Sequence, residues 1–108
     1  MQLVLVTCPK ESAEKIAREV LKRRIAACVS TLDGFHTLYR WEGRLESAEE
    51  SLLLIKTRRK LLGELKGTVR GIRPYQMPEI ISFSVERGYD RYSDWISKET
   101  SHVTRKSR

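Results

Sequence analysis

The sequence predicts an α+β fold, a ferredoxin-like sandwich in which helices cover one face of an antiparallel sheet. Three observations lead to this prediction. The length of 108 residues suits one domain with a modest two-layer core. Short apolar runs typical of strands alternate with amphipathic segments typical of helices, in the order β-α-β-β-α-β plus a terminal helix. Two split β-α-β units make such a sandwich, and right-handed crossovers place strands one and three in its centre.

The first strand and the first helix follow from simple patterns. The run LVLVT, Leu3 to Thr7, is continuously apolar and ends before Pro9, which is typical of a buried strand. Apolar residues then recur at helical spacing with charged residues between them, and Ser12 is the expected N-cap. The apolar stripe consists of Ala13, Ile16, Ala17, Val20 and Leu21. This stripe predicts a helix that lies on the sheet.

The middle of the chain predicts a long hairpin. Its first strand begins with IAACVSTL, residues 25–32, and a bend or bulge is expected near Gly34. Its turn is expected at Gly43, because glycine tolerates the positive φ that tight turns require. The returning strand ends with the apolar run SLLLIKT, residues 51–57.

A second helix, a fourth strand and a short terminal helix complete the predicted fold. The stripe of the second helix consists of Leu61, Leu62, Leu65, Val69 and Ile72. Gly63 and Gly67 weaken this helix by about 1 kcal/mol each relative to alanine, so close packing is expected around them. Pro74 ends the helix, residues 79–86 form the fourth strand, and Asp90 is expected to cap the last helix.

The domain is expected to span residues 1–100, and residues 101–108 are expected to form a basic, mobile tail. Charge is unevenly distributed along the chain. Residues 1–54 contain eight Lys/Arg and eight Asp/Glu, whereas residues 55–108 contain thirteen Lys/Arg and six Asp/Glu. Such an excess suits an acidic partner or nucleic acid. A solvated basic face plus the tail is the simpler interpretation, so nucleic acid is not the expected partner.

Composition also bears on compartment and source. No run of about 18 apolar residues is present, so no membrane association is expected. Cys8 and Cys28 lack the spacing of a metal motif or of a disulfide framework, which predicts reduced thiols in the cytoplasm. The absence of asparagine and the 32% charged residues are typical of thermostable proteins.

The second strand predicts an assembly. It lies at an edge of the sheet and is long, and alternation places Thr37, Tyr39 and Trp41 on one of its faces. A long exposed edge strand that carries aromatic residues aggregates unless something covers it. We expect another copy of the chain to cover it, with Tyr39 and Trp41 in the interface.

At this point the residues resemble the CutA divalent-cation-tolerance family. The matching segments, in order, are KIAREVLKRRIAACVSTL, LYRWEGRLE, LLLIKT and PYQMPEII followed by YDRYSDWI, between about Leu3 and Thr100. The resemblance implies a cytoplasmic homotrimer, similar in architecture to the nitrogen-regulatory PII proteins, with hairpins paired between subunits. It also implies a link to copper tolerance and the response to divalent metal ions, and no catalytic activity.

The ligands proposed for copper in that family do not carry over. Its histidine positions before the Pro-Tyr pair correspond to Ile72 and Arg73, and its first-strand cysteine corresponds to Val6. None of these three side chains offers a lone pair to a metal ion. Cys8, two positions after Val6, is the remaining soft-metal candidate. Copper or another divalent cation is therefore implied by the family alone.

A cleft between subunits is the other candidate site, with Lys56, Arg73, Tyr75 and Glu79 as its expected lining. It suits the alternative function, that of a PII-like sensor or scaffold that binds a small anionic ligand. Two other classes with this fold are excluded. Acylphosphatases need an asparagine, which the chain lacks, and RNA-recognition modules need aromatic residues on the middle strands, where SLLLIKT has none.

Overall fold

The computed structural model describes residues 1–72 and 79–101. Four strands and three helices form in the predicted order, and the sheet has the strand order β2-β3-β1-β4, with all pairs antiparallel. The elements are β1 (Gln2–Cys8), α1 (Lys10–Lys22), β2 (Cys28–Trp41), β3 (Arg44–Thr57), α2 (Leu62–Ile72, after a 3₁₀ turn at Arg59–Leu61), β4 (Ile80–Ser84) and α3 (Asp90–Glu99). The ferredoxin-like prediction, with strands one and three in the centre, is confirmed. None of the described helices has the length and apolar character needed to cross a bilayer.

The core lies between the sheet and the pair α1 and α2. Alternation along β1 and β3 turns every second side chain toward these helices, and the buried cluster follows that alternation. It contains Val4, Val6 and Cys8 of β1, Ala13, Ile16 and Val20 of α1, Leu53 and Ile55 of β3, and Leu65 and Val69 of α2. The apolar stripes expected of the two helices are therefore the faces that they bury.

Helix α3 is held separately, at the end of the sheet where β3 finishes. Ile96 and Thr100 are fully buried there. The guanidinium of Arg58 donates through Nε to Thr100 Oγ1 and through Nη2 to the Thr100 carbonyl, each at 2.8 Å. Arg24 donates to the carbonyl of the preceding residue, Glu99, at 3.3 Å. Two arginines from different loops thus fix the C-terminal end of this helix.

Several local predictions are wrong. Ser12 is not the N-cap, because α1 begins at Lys10 after Pro9, and the Ser12 amide bonds back to the Pro9 carbonyl. Asp90 is the first residue of α3 and not its cap, which is Tyr89; a carboxylate in the first turn still suits the helix dipole. Strand β4 is shorter than the predicted 79–86.

Close packing does not explain the helix glycines. A Cβ added at Gly63 or at Gly67 would meet nothing within 4 Å among the described residues. The packing expected there is therefore absent inside the subunit. The interpretation of residues 101–108 as a mobile tail lies, apart from Ser101, outside the described residues.

The hairpin contains the bulge that the sequence predicts. Leu32 pairs with Leu52 and Phe35 with Glu50, so β2 advances three residues where β3 advances two. Gly34 takes the positive φ of +70° that this bulge requires. The extra residue brings both Leu32 and Phe35 onto the same face of the sheet.

Beyond the bulge the two strands pair only with each other. Strand β1 ends at Cys8 opposite Ser51, so residues 33–50 extend past the rest of the sheet as a two-stranded arm. The turn at its tip has positive φ at Glu42 (50°) and Gly43 (81°), as expected for a two-residue hairpin turn.

Candidate functional site

One face of the sheet is covered by neither α1 nor α2, and we call it the open face. By strand register it carries Leu3, Leu5 and Thr7 of β1, Cys28, Ser30, Leu32 and Phe35 of β2, Leu52, Leu54 and Lys56 of β3, and Ile81 and Phe83 of β4. Leu32, Ile81 and Phe83 are 54%, 44% and 49% exposed. Contiguous apolar surface of this kind marks an interaction site in a water-soluble fold.

The arm continues the open face. Because the pairing register is unbroken beyond the bulge, Phe35, Thr37, Tyr39 and Trp41 follow one another on the same side. Tyr39 is exposed and Trp41 is half-buried, so both predicted interface residues are available to another molecule. Thr37 Oγ1 is buried and has no hydrogen-bond partner among the described residues. A buried hydroxyl in that state is uncommon in native proteins.

A polar corner interrupts the open face where β2 begins. The Lys56 ammonium donates to Ser30 Oγ at 2.8 Å and lies 3.9 Å from the Cys28 Sγ. Tyr92 of α3 reaches the same thiol, and its ring stacks at a tilt on Trp95, with centroids 5.7 Å apart. An ammonium, a thiol and a phenol therefore meet at one point of an otherwise apolar surface.

This corner perturbs the phenol. Partial burial raises the pKa of Tyr92 above its ordinary value of 10.0, and the neighbouring Cys28 raises it further through its charge and its hydrogen bond. Since the shift is upward, the stability linked to protonated Tyr92 is complete below pH 10 and is lost as the pH rises through the folded-state pKa.

We expect a Cys28→Ser variant to titrate Tyr92 at lower pH than the parent does, because the nearby sulfur charge is removed. The measurement is the phenolate absorbance in a pH series, with a Tyr92→Phe variant subtracted to isolate this ring from the other three tyrosines. An unchanged or higher midpoint in Cys28→Ser would contradict the contact.

Of the three residues at the family's metal positions, Val6 and Ile72 lie among the described residues, and neither side chain has a donor atom. Val6 and Cys8 are both fully buried in the core, and Ile72 packs against it. Cys8 is therefore a poor soft-metal candidate, contrary to expectation. Arg73, like Tyr75, lies outside the described residues. Within residues 1–72 and 79–101, no three His, Cys, Asp or Glu side chains are grouped so as to hold a metal ion.

Two residues of the cleft predicted between subunits, Lys56 and Glu79, lie apart within one subunit. Lys56 lies opposite Leu3, whereas the Glu79 carboxylate accepts a hydrogen bond from Thr7 Oγ1 at 3.2 Å. Leu3 and Thr7 are four residues apart on β1, about 13 Å. Lys56 and Glu79 thus occupy opposite ends of the open face.

Sequence reasoning missed the corner at Cys28. It predicted only a reduced thiol at this position, whereas the structure leaves Cys28 half-buried beside Lys56. The pairing of the two hairpin strands can be counted back from the turn at Gly43, with one extra residue in β2 for the bulge. This count places Cys28 opposite Lys56, so the sequence did indicate that these two residues are neighbours. Nothing in the sequence indicated that Tyr92 reaches them, because α3 is more than sixty residues away.

Comparison with known proteins shows a family match over most of the chain. Residues 2–99 match the model of the family described as CutA1 divalent ion tolerance protein. The divalent-cation tolerance protein CutA of Thermus thermophilus is 37% identical over 100 residues, which are 92% of this chain and 97% of that protein. The human protein CutA is 39% identical over 100 residues, and the chain spans only 56% of its length.

Solved structures agree with this match. The divalent cation tolerance protein of Thermus thermophilus superposes with a TM-score of 0.90 at 37% identity, covering 93% of this chain and 99% of the other. A protein from Nostoc described as the PII-like protein CutA, in apo form, gives a TM-score of 0.88 at 30% identity and covers 96% of this chain and all of the other.

Proposed function

Because the chain belongs to the CutA1 divalent ion tolerance family, we propose that it is a non-enzymatic homotrimer that contributes to copper tolerance and to the response to divalent metal ions. The observation that carries the proposal is the open face with its arm. In an isolated subunit, Leu32, Phe83 and the aromatic residues of the arm are exposed to water, which is unfavourable. Association with other subunits would remove this exposure. The cytoplasm is the proposed location, since neither cysteine is held in a disulfide.

The arm supports assembly with identical subunits. It extends past the sheet as a two-stranded ribbon, and such a ribbon is marginally stable in water unless something packs on it. Thr37 Oγ1 lacks a partner among the described residues, and a neighbouring subunit would supply one. Light scattering of the purified protein tests the assembly: we expect three times the 12.6 kDa chain mass, and a monomer at micromolar concentration would contradict it.

Copper does not fit the family's ligand positions in this chain. A guanidinium stays protonated and repels a cation, and the valine and isoleucine side chains have no donor atom. We therefore derive no role for bound copper at Val6, Ile72 and Arg73. The contribution to tolerance is proposed to run through the assembled protein and not through these three side chains.

Arg73→His is expected to increase the affinity for copper(II) by about tenfold or more, because imidazole is a good copper ligand and arginine is none. Both proteins should carry Cys28→Ser, which removes the half-buried thiol and leaves the buried Cys8 in the core. Calorimetric titration measures the affinities. If the protein with Arg73 binds copper(II) tightly at a stoichiometric ratio, and Arg73→His leaves that affinity unchanged, the claim that this chain lacks the family's copper site is wrong.

A second candidate is a PII-like sensor that binds a small anionic ligand between subunits. The ammonium of Lys56 on an apolar face favours it, since a charge placed there is suited to a ligand or partner group. Titration with ATP as the probe would separate the candidates. Binding that is lost in Lys56→Gln but kept in Lys15→Gln, a control at an exposed lysine of α1, supports the sensor. Equal affinities in the two variants contradict it.

A further inference from the structure

A cluster of cations lies at the end of the subunit opposite the arm. Two loops form it: the end of α1 with the residues that follow, and the segment between β3 and α2. We define the basic end by six residues, Lys22, Arg23, Arg24, Arg58, Arg59 and Lys60. Apart from Arg58, which is half-buried, all of them are exposed.

Backbone and side-chain bonds hold the two loops together. Thr57 Oγ1 donates to the Ile25 carbonyl, and the Ala27 amide donates to the Lys56 carbonyl at 3.0 Å. Arg24 and Arg58 bond to consecutive residues of α3, Glu99 and Thr100. Cations that are more than thirty positions apart in the sequence therefore form one surface.

The guanidinium groups are anchored and still have donors to spare. Arg23 donates through Nε to the Glu19 carboxylate and through Nη1 to Thr68 Oγ1. Arg59 donates through Nη2 to Ser84 Oγ at 3.1 Å. A guanidinium has five N–H donors, so several remain on each for another molecule. Because the side chains are already ordered, less conformational entropy is lost on binding.

Helix electrostatics account for only part of this cluster. Lys22 lies at the C-terminal end of α1, where the helix dipole favours a cation. Arg59 and Lys60 lie before the N-terminal end of α2, where the dipole favours an anion. Two carboxylates, Glu19 and Glu99, pair with arginines here, against six cations. The unfavourable placement of exposed Arg59 and Lys60 indicates a role other than folding.

The arm has the opposite charge. Residues 33–50 contain five acidic residues and two arginines. The basic end combines three of the thirteen cations of the second half of the chain with three cations of the first half. Six cations at one end of the subunit, with an acidic arm at the other, give that end a positive local potential that attracts polyanions.

We propose that the basic end binds the phosphate backbone of nucleic acid without reading its sequence. The three exposed arginines, Arg23, Arg24 and Arg59, offer planar guanidinium groups that match phosphate oxygens, a geometry that lysine does not supply. Among the six residues that define the basic end none is aromatic, so stacking on bases is not part of the interaction. The sequence predicted no nucleic-acid partner, both from its charge distribution and from the lack of aromatic residues on the middle strands; the basic end is a different surface, formed by two loops.

The test is fluorescence anisotropy with a labelled random-sequence DNA duplex of about 20 base pairs over a salt series. The variant is Arg59→Glu with Lys60→Glu, in which glutamates before α2 suit the helix dipole and favour correct folding. The matched control is Lys10→Glu with Lys15→Glu, which changes the net charge equally on exposed positions in the first half of α1. All three proteins are used as full chains.

We expect the basic-end variant to bind about tenfold or more weakly at about 50 mM salt, and the slope of log K against log salt to fall by about 2. The control should lose less than about threefold, and an unlabelled duplex of another sequence should compete as well as the same sequence. Equal losses in both variants would overturn the proposal, because only net charge would matter. Competition by poly-glutamate as effective as that by duplex would also overturn it, in favour of an acidic protein partner.

Discussion

A Phe83→Asp variant is expected to lose the trimer and to run as a monomer. Phe83 lies on edge strand β4 in the open face, 49% exposed in the subunit and paired with Leu3 of β1. If association buries it, aspartate would place an unpaired carboxylate in each interface, at a cost of about 3 kcal/mol or more per subunit. Three such charges around one axis would also repel one another.

Sedimentation or light scattering at micromolar concentration measures the effect. Leu21→Asp is the matched control, because Leu21 is similarly exposed (40%) but lies on α1, on the far side of the sheet. Its variant should keep the mass of the parent. A trimeric Phe83→Asp protein would show that assembly uses a surface other than the open face, and it would count against the proposed homotrimer.

Arg58→Met is expected to lower the free energy of unfolding by about 2–4 kcal/mol. The substitution keeps much of the aliphatic stem but removes both hydrogen bonds to Thr100. Thr100 is fully buried, so its carbonyl loses the guanidinium donor in a place without water. The Thr100 hydroxyl still donates to the Ile96 carbonyl. Helix α3 would be the first element to loosen, since Arg24 alone would hold its C-terminal end.

Chemical denaturation at one protein concentration tests this expectation, because the stability of an oligomer depends on concentration. Arg59→Met is the control at the adjacent position: its side chain is exposed and makes one bond, to Ser84. Its variant should change stability by less than about 0.5 kcal/mol. Equal losses at the two positions would contradict the anchoring role of Arg58.

The elements with long apolar patterns were predictable from sequence. The stripe of α1 and the run SLLLIKT of β3 became buried faces, and the bulge near Gly34 followed from one glycine in a strand pattern. The caps at Ser12 and Asp90 were not predictable, because a proline or tyrosine one to three residues earlier served equally well to begin the helix. The capping propensities of neighbouring residues differ there by too little to predict at which residue the helix begins.

The candidate sites were less predictable, since they depend on contacts between distant segments. Lys56 was a candidate from sequence, but its neighbours Cys28 and Tyr92 come from another strand and from the last helix. Within one subunit β1 keeps Lys56 and Glu79 about 13 Å apart, so the cleft with Glu79, which was predicted between subunits, stays a prediction. The cations of the basic end appeared as scattered charges because folding alone brings Arg24 next to Arg58.

The bulge at Gly34 separates the hairpin into two parts whose facing is decided independently. Side chains in a strand alternate, so counting straight from Leu32 would place His36, Leu38 and Arg40 on the open face. The extra residue of the bulge puts Phe35, Tyr39 and Trp41 there instead. Deletion of Gly34 would let Phe35 follow Leu32 at a spacing of two, still opposite Glu50, and would keep these aromatic residues on the open face. The bulge therefore absorbs one residue that a regular strand could accommodate only by turning the aromatic residues to the opposite face.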